Sequence, residues 1–295
     1  MRILRVAQTY YPDRTGGGAY HVHAMSRDQA AVGHDVTVLT LRRGADPPRR
    51  ERRDGYTVVR CEPTASVLGN DLSVELARTL RAADGFDVVH AHSHLYFATN
   101  LAALRRRLDD TPLAVTNHGL YSQSAPRWLF DWYLRTLGRA TFDSADLVFC
   151  YTDADRDRVC ELGVKSDVAV VRNGIDTDRF SPDGETSDVV TGGRPVVLFV
   201  GRLVDGKRPA DAIDAFARVA AERPECRLVL VGDGPRRASL EERVHERGLA
   251  DRIRFLGHVD YDEMPPLYRA ADVLVLPAFN ELVAGVRING LTTAD

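Results

Sequence analysis

The stretch Val196-Val197-Leu198-Phe199-Val200-Gly201-Arg202-Leu203-Val204-Asp205-Gly206-Lys207-Arg208-Pro209 decides the fold. Five consecutive apolar residues predict a strand buried on both faces, as in a parallel sheet. Pro209 opens a helix-period segment to Glu222, at a position where its missing N–H costs nothing. The alternation continues with strand Arg227–Val231, helix Arg236–Arg247, strand Ile253–Leu256, helix Asp262–Ala270 and strand Val273–Leu276. Toward the N-terminus it runs through strands Ile3–Ala7, Asp35–Thr40, Thr57–Arg60, Val88–Ala91, Leu113–Thr116, Leu147–Cys150 and Val168–Val171. Helix-period segments Ala19–Val32, Leu72–Ala83, Tyr96–Leu108, Arg127–Phe142 and Asp153–Leu162 lie among them. Such alternation predicts α/β architecture with doubly wound parallel sheets.

Between the two series, Ser181 to Arg194 carries Pro182, Gly184, Gly192, Gly193 and acidic residues, the composition of a linker. Residues 1–180 are therefore expected to form one Rossmann-like domain and residues 195–295 a second, partial one. The second shows four strands, whereas a full doubly wound domain has about six at roughly 30 residues per step. It is expected to stop on the order of 60 residues early.

The 295 residues are 44% hydrophobic and 27% charged, which excludes a mostly disordered chain. A formal net charge of -3 gives no global field for nucleic acid, so any anion must be caught locally. Cys61, Cys150, Cys160 and Cys226 contain no Cys-x-x-Cys pair and are expected to be buried free thiols. The first apolar run is too short for a signal peptide and no segment has the length of a membrane span, which predicts a cytoplasmic protein. Lysine occurs only as Lys165 and Lys207, which draws the eye to Lys207, since a compact ammonium differs from a planar guanidinium.

Two arrangements carry chemistry. Gly16-Gly17-Gly18 follows the first strand by a loop and opens a helix, so backbone N–H groups there can approach an anion closely. An unliganded tight turn explains those glycines equally well, and their spacing is not a dinucleotide fingerprint. Arg202 and Lys207 follow a parallel strand and precede a helix N-terminus, where doubly wound sheets bind ligands. Two cations there would neutralise a diphosphate and stabilise it as a departing group.

At these motifs the sequence resembles glycosyltransferase family 4. The second half carries Gly201-Arg202-Leu203 with Lys207, Leu230-Val231-Gly232-Asp233-Gly234-Pro235, Phe255-Leu256-Gly257-His258-Val259, Tyr268-Arg269-Ala270-Ala271-Asp272-Val273 and Leu276-Pro277. The first half carries the Tyr10-Tyr11-Pro12 to Gly18 loop, Asp87-Val88-Val89-His90-Ala91-His92, Thr116-Asn117-His118-Gly119 and Val171-Arg172-Asn173-Gly174-Ile175-Asp176. The resemblance implies a GT-B fold, two Rossmann-like domains facing across a cleft, and retaining transfer from an NDP-sugar, a substrate rather than a cofactor, without an essential metal. It implies that Arg202 and Lys207 hold the donor diphosphate and that Gly257, His258 and Val259 lie near the base. Gly17 and Gly18 would approach the sugar phosphate, and His118 would sit beside the transferred sugar. In the family a glutamate contacts sugar hydroxyls and another, eight positions on, the ribose. Glu281 fits the first place, but Asn289 stands at the second and lacks the charge that strengthens such a bond. Beyond Glu281 the pattern is lost, as a shifted frame, a truncated gene or divergence would produce.

Three features remain. His90, His92 and His94 alternate as metal ligands on one strand face do, although the first two belong to the family pattern. Trp128, Phe130, Trp132 and Tyr133 share one predicted helix, as core or as an acceptor- or membrane-facing surface. Arg49, Arg50, Arg52 and Arg53 form a basic loop, solvated or meeting anionic lipid. The expected function is retaining glycosyl transfer to a hydroxyl acceptor on a glycolipid, polysaccharide or small molecule, with no nucleic-acid partner. Its rival is a non-catalytic nucleotide-sugar-binding remnant.

Overall fold

The structure is a computed structural model, and it describes residues 1–14, 16–44, 46–67, 69–120, 126–188 and 195–278. The chain divides into two compact units, Met1–Arg172 and Asn173–Asp295.

The first unit runs β1 (Arg2–Val6), α1 (Gly17–Ala31), β2 (Asp35–Leu41), β3 (Arg50–Arg53), β4 (Tyr56–Cys61), β5 (Ala65–Val67), β6 (Asn70–Leu72), α2 (Val74–Ala82), β7 (Val88–His92), α3 (Phe97–Arg106) and β8 (Leu113–Thr116). It continues with α4 (Arg127–Tyr133), a π-helical turn Leu134–Gly138, α5 (Arg139–Phe142), β9 (Leu147–Cys150), α6 (Asp153–Glu161) and β10 (Asp167–Val170). Its main sheet has the order β10-β9-β8-β7-β1-β2-β4-β3, parallel except at β3, and β5 pairs with β6 in a separate hairpin. Strand alternation sends Leu4 and Val6 into one core and Ile3 and Ala7 into another, so both sheet faces are covered. The strand order reverses between β1 and β7, the switch point where loops open to a ligand.

The second unit runs β11 (Val196–Val200), a 3-10 turn Asp205–Lys207, α7 (Pro209–Glu222), β12 (Arg227–Val231), α8 (Arg237–Glu246), β13 (Ile253–Gly257), a 3-10 turn Tyr261–Glu263, α9 (Met264–Ala270) and β14 (Val273–Leu274). Its parallel sheet has the order β13-β12-β11-β14. Phe199 packs with Ile213 and Phe216 on one face, while Val196 and Leu198 pack with Met264 and Leu267 on the other. Each such buried side chain contributes about 1.5–3 kcal/mol. Residues N-terminal to β11 are tied to α9: Phe180 joins its core, Ser187 N–H donates to Pro266 O, and the Arg269 guanidinium donates to Glu185 O and Ser181 O.

The basic segment at Arg50–Arg53 is strand β3, not a loop. Its backbone pairs antiparallel with β4, and its arginines are exposed or half-buried. Arg53 lies over the Tyr11 ring, and nearby Arg49 pairs with Glu75 and Glu62. Cys61, Cys150 and Cys226 are buried thiols, whereas Cys160 is exposed on α6. Among the described residues no helix is long and apolar enough to cross a membrane.

Candidate functional site

In the first unit, the start of α1, the end of β7 and the segments leaving β8 and β9 bring together Gly18, His21, His92, His118 and Tyr151. His118 is placed by the Asn117 turn: Asn117 N–H donates to Phe149 O, and Asn117 Oδ1 accepts from Gly119 N–H. Gly18 meets it from the first turn of α1, where a Cβ would lie 3.4 Å from His118 Nδ1. Beyond its own chain neighbours and helix backbone, no heavy atom of the described residues stands within 4 Å of where a Gly17 Cβ would be. The two sequence-predicted elements of this unit therefore touch.

Both ring nitrogens of His118 are engaged. Nε2 lies 3.1 Å from His92 Nδ1, and Nδ1 lies 3.1 Å from the Tyr151 hydroxyl. The His21 ring stands edge-on to His92, His118 and Tyr151, at 5.7, 5.6 and 5.5 Å between centroids. Part of the His118 surface stays accessible, yet protein crowds the ring closely. Burial, then the charges of His21 and His94, lowers its pKa to about 3. Burial followed by Arg5 lowers His21 to about 4. Beneath them Arg5 is fully buried on β1, donating to Ser26 Oγ and Gln29 Oε1, and burial lowers its pKa to about 10. A buried cation beside imidazoles keeps them neutral at ordinary pH.

His90, His92 and His94 do not converge on one point. His90 Nε2 is 2.7 Å from Thr116 Oγ1, and its ring stacks on His92 at 4.5 Å. His94 lies past Ser93, whose backbone is left-handed, and packs on Phe142 and Tyr133. Among the described residues no group of three or more His, Cys, Asp or Glu side chains is placed to hold a metal ion.

In the second unit, the loops after β11, β12 and β13 form one hydrogen-bonded layer. Gly201 N–H donates to Val231 O, Leu203 N–H to Asp233 O, Arg236 N–H to Leu203 O and Gly232 N–H to Gly257 O. This layer presents Arg202, exposed, and Lys207, half-buried in the 3-10 turn before α7. Burial and then the Arg202 charge lower the Lys207 pKa, so the two cations lie within electrostatic reach. His258 is exposed, with its imidazole 3.8 Å from Asp260, and Val259 packs into the β11–β12 core. Glu281 and Asn289 lie outside the described residues.

The aromatic helix divides in two. Phe130 and Leu134 are buried, whereas Trp128 and Trp132 are 72% and 63% exposed, which corrects the core reading for both tryptophans. The π-helical turn that follows contributes Leu137, and α5 contributes Ala140, to an apolar groove of about 590 Å³ also lined by Leu72, Val74, Leu101 and Leu104. Sequence reasoning missed His21, Tyr151 and Arg5 at the site. His21 had one signal, its place three residues after Gly18 on the same helix face.

Two Rossmann-like units, each carrying its loop layer at the strand ends, are the building blocks of the GT-B fold. The chain belongs to Glycosyltransferase Family 4, whose sequence model matches residues 15–179, and residues 187–287 match Glycosyl transferases group 1. It is 29% identical to glycogen synthase of Mycobacterium tuberculosis over 95% of this chain and 73% of that protein. It is 28% identical to the GDP-mannose-dependent alpha-(1-6)-phosphatidylinositol monomannoside mannosyltransferase of the same organism, over 98% of this chain and 76% of that one. Sucrose-phosphate synthase from Thermosynechococcus elongatus superposes with a TM-score of 0.73 at 21% identity, covering 95% of this chain and 76% of that one. Anabaena HepE in complex with UDP and glucose gives 0.72 at 21% identity, covering 94% and 74%.

Proposed function

We propose that the chain moves a sugar from an NDP-sugar to a hydroxyl acceptor with retention of configuration and without an essential metal. The observation that carries this is the pair Arg202 and Lys207, held within electrostatic reach at the end of β11 and before the N-terminus of α7. A guanidinium, an ammonium and a helix N-terminus together offer charge-assisted hydrogen bonds to a diphosphate, both bound and departing. Gly257, His258 and Val259 would border the base. Gly17 and Gly18 would approach the sugar phosphate, and His118 the sugar. A relative named for GDP-mannose and a similar structure holding UDP and glucose support a nucleotide-sugar donor. With no nucleophilic carboxylate in the cluster around His118 among the described residues, the oxocarbenium-like state would be stabilised electrostatically as diphosphate leaves from the same face. Glu281 and Asn289 keep their expected roles toward sugar and ribose as part of this proposal.

The test is release of nucleoside diphosphate from UDP-glucose, GDP-mannose and ADP-glucose, with binding measured by calorimetry. Arg202→Ala and Lys207→Ala should each weaken nucleotide binding about 10- to 100-fold, the loss of one charge-assisted bond. Wild-type affinity in both folded variants rules the site out. Gly17→Ala separates function from stability. Its methyl meets no atom of the described residues within 4 Å beyond its own helix and chain neighbours, and alanine is the better helix former by up to about 1 kcal/mol. Tm should hold or rise while turnover falls at least about tenfold.

For the acceptor, exposed Trp128 and Trp132 on α4, together with the apolar groove that the following turn lines through Leu137, support a lipid-linked hydroxyl compound and peripheral contact with a membrane surface. Trp128→Ser/Trp132→Ser should lose cosedimentation with phosphatidylglycerol vesicles while nucleotide binding is kept. Equal sedimentation of variant and wild type removes the membrane contact from the proposal.

A further inference from the structure

We propose that Tyr151 is the positioning residue of His118: its phenol O–H donates to Nδ1, fixing the Nε2–H tautomer, which donates in turn to Nδ1 of His92. This deepens the assignment of His118 to the transferred sugar and rests on it.

Three observations carry the inference. Both nitrogens of His118 face protein partners at 3.1 Å, so a ring flip would break two hydrogen bonds at once. The polarity of the chain follows from donor strength. A phenol O–H donates better than a neutral imidazole N–H, and a bare ring nitrogen accepts better than a phenolic oxygen. Donation into Nδ1 also polarises the ring and strengthens the onward bond to His92. Reversed, the chain would leave the Tyr151 hydroxyl proton without a hydrogen-bond acceptor among the described residues. His92 Nε2 has no hydrogen-bond partner among the described residues in either direction, so donor and acceptor strength along the Tyr151–His118–His92 chain set its polarity.

The third observation is how firmly Tyr151 is held. It follows β9 directly and precedes Thr152, whose hydroxyl caps α6 by accepting from Asp155 N–H at 3.0 Å and donating to Asp155 Oδ2. Cap and strand fix the Tyr151 backbone, the His21 ring stands against its side chain, and Gly18 lies along the Nδ1–Cε1 edge of His118. With both nitrogens committed inside the protein, His118 offers the sugar a fixed, uncharged ring rather than a titrating base. Its effect then falls on the bound sugar's path to the transition state, not on nucleotide affinity.

The experiment has two arms. Long-range 1H–15N correlation spectra of the ligand-free protein, with histidine labelled, should show His118 as one neutral Nε2–H tautomer at pH 7, and Tyr151→Phe should convert it to a tautomer mixture. In the second arm, the sugar nucleotide turned over fastest among UDP-glucose, GDP-mannose and ADP-glucose is the probe. Tyr151→Phe should lower kcat about tenfold with KM and nucleotide affinity within about twofold. A wild-type Nδ1–H tautomer, an unchanged tautomer in Tyr151→Phe, or an unchanged kcat overturns the inference. Should none of the three nucleotides be turned over while the spectra are as stated, the transfer reading falls and the hydrogen-bond assignment stands. The wild-type spectrum decides that assignment even if the variant misfolds.

Discussion

Gly232→Ala is expected to remove a large fraction of the second unit's stability and to lower its Tm steeply. Gly232 follows β12 with φ +127, a backbone conformation that side chains rarely adopt, and a Cβ there would stand 2.0 Å from the carbonyl oxygen of Gly201. The obstacle is backbone, fixed by Gly201 N–H donating to Val231 O, so it cannot swing aside. Relief requires separating the β11 and β12 loops, which breaks hydrogen bonds from Leu203 to Asp233 and from Gly232 to Gly257. Backbone strain of about 1–3 kcal/mol and the lost bonds at about 1 kcal/mol each sum to about 3–5 kcal/mol. Against a net stability of roughly 5–15 kcal/mol, that is a large fraction. The control is Gly206→Ala, whose methyl meets nothing within 4 Å and whose backbone is unstrained; it should melt within about 2 °C of wild type. Thermal melting and limited proteolysis of both variants decide the point. Equal Tm values would mean that the glycine pair does not set the spacing of the loops that carry Arg202.

What the sequence made legible follows from where apolar pattern and topology coincide. Strands Leu113–Thr116, Leu147–Cys150, Val196–Val200 and Arg227–Val231 and helix Pro209–Glu222 match their expected limits, because apolar runs or period end there in turn residues. Strand β3 was illegible: Arg50–Arg53 has no apolar residue and is held to β4 by backbone pairing and by the Glu51–Arg60 ion pair. The β5–β6 hairpin is short, with β5 exposed and only Asp71 of β6 buried, so no apolar alternation marks it in the sequence. The long helix expected over Arg127–Phe142 is interrupted by a π-helical turn that leaves no trace in a 3.6-residue period. At the site, Gly18 and His118 were found through family motifs, and their contact was found through structure. Tyr151 gave no signal, since 33 residues separate it from His118 and only the neighbouring positions of β8 and β9 bring them together. Arg5 was hidden because a lone arginine in an apolar strand reads as an edge residue, whereas here it lies at the centre of the sheet.

Acid should unfold the first unit over a narrow interval below pH 6. His90, His92 and His94 are almost fully buried, and burial lowers the pKa of each, to about 3 for His94 and well below the ordinary value for the other two. An unfolded histidine titrates near 6.5. Between that value and the folded pKa the unfolded chain binds protons that the native state refuses, so stability present above pH 6.5 is lost as pH falls. One unit below 6.5, each buried histidine removes about 1.4 kcal/mol, about 4 kcal/mol for the three. His118 and His21 act in the same direction. Circular-dichroism melts from pH 8 to pH 4 should show Tm nearly flat above pH 7 and falling steeply from pH 6. His94→Leu isolates one contribution. Both His94 nitrogens are buried between Phe142 and Tyr133 without a hydrogen-bond partner among the described residues, so a side chain of similar volume without nitrogen removes a desolvation penalty. That variant should be at least as stable as wild type at pH 7.5 and should keep its fold to lower pH. A Tm that stays level down to pH 4.5 would show that these imidazoles accept protons in the native state as readily as in the unfolded chain, which overturns the depressed pKa values.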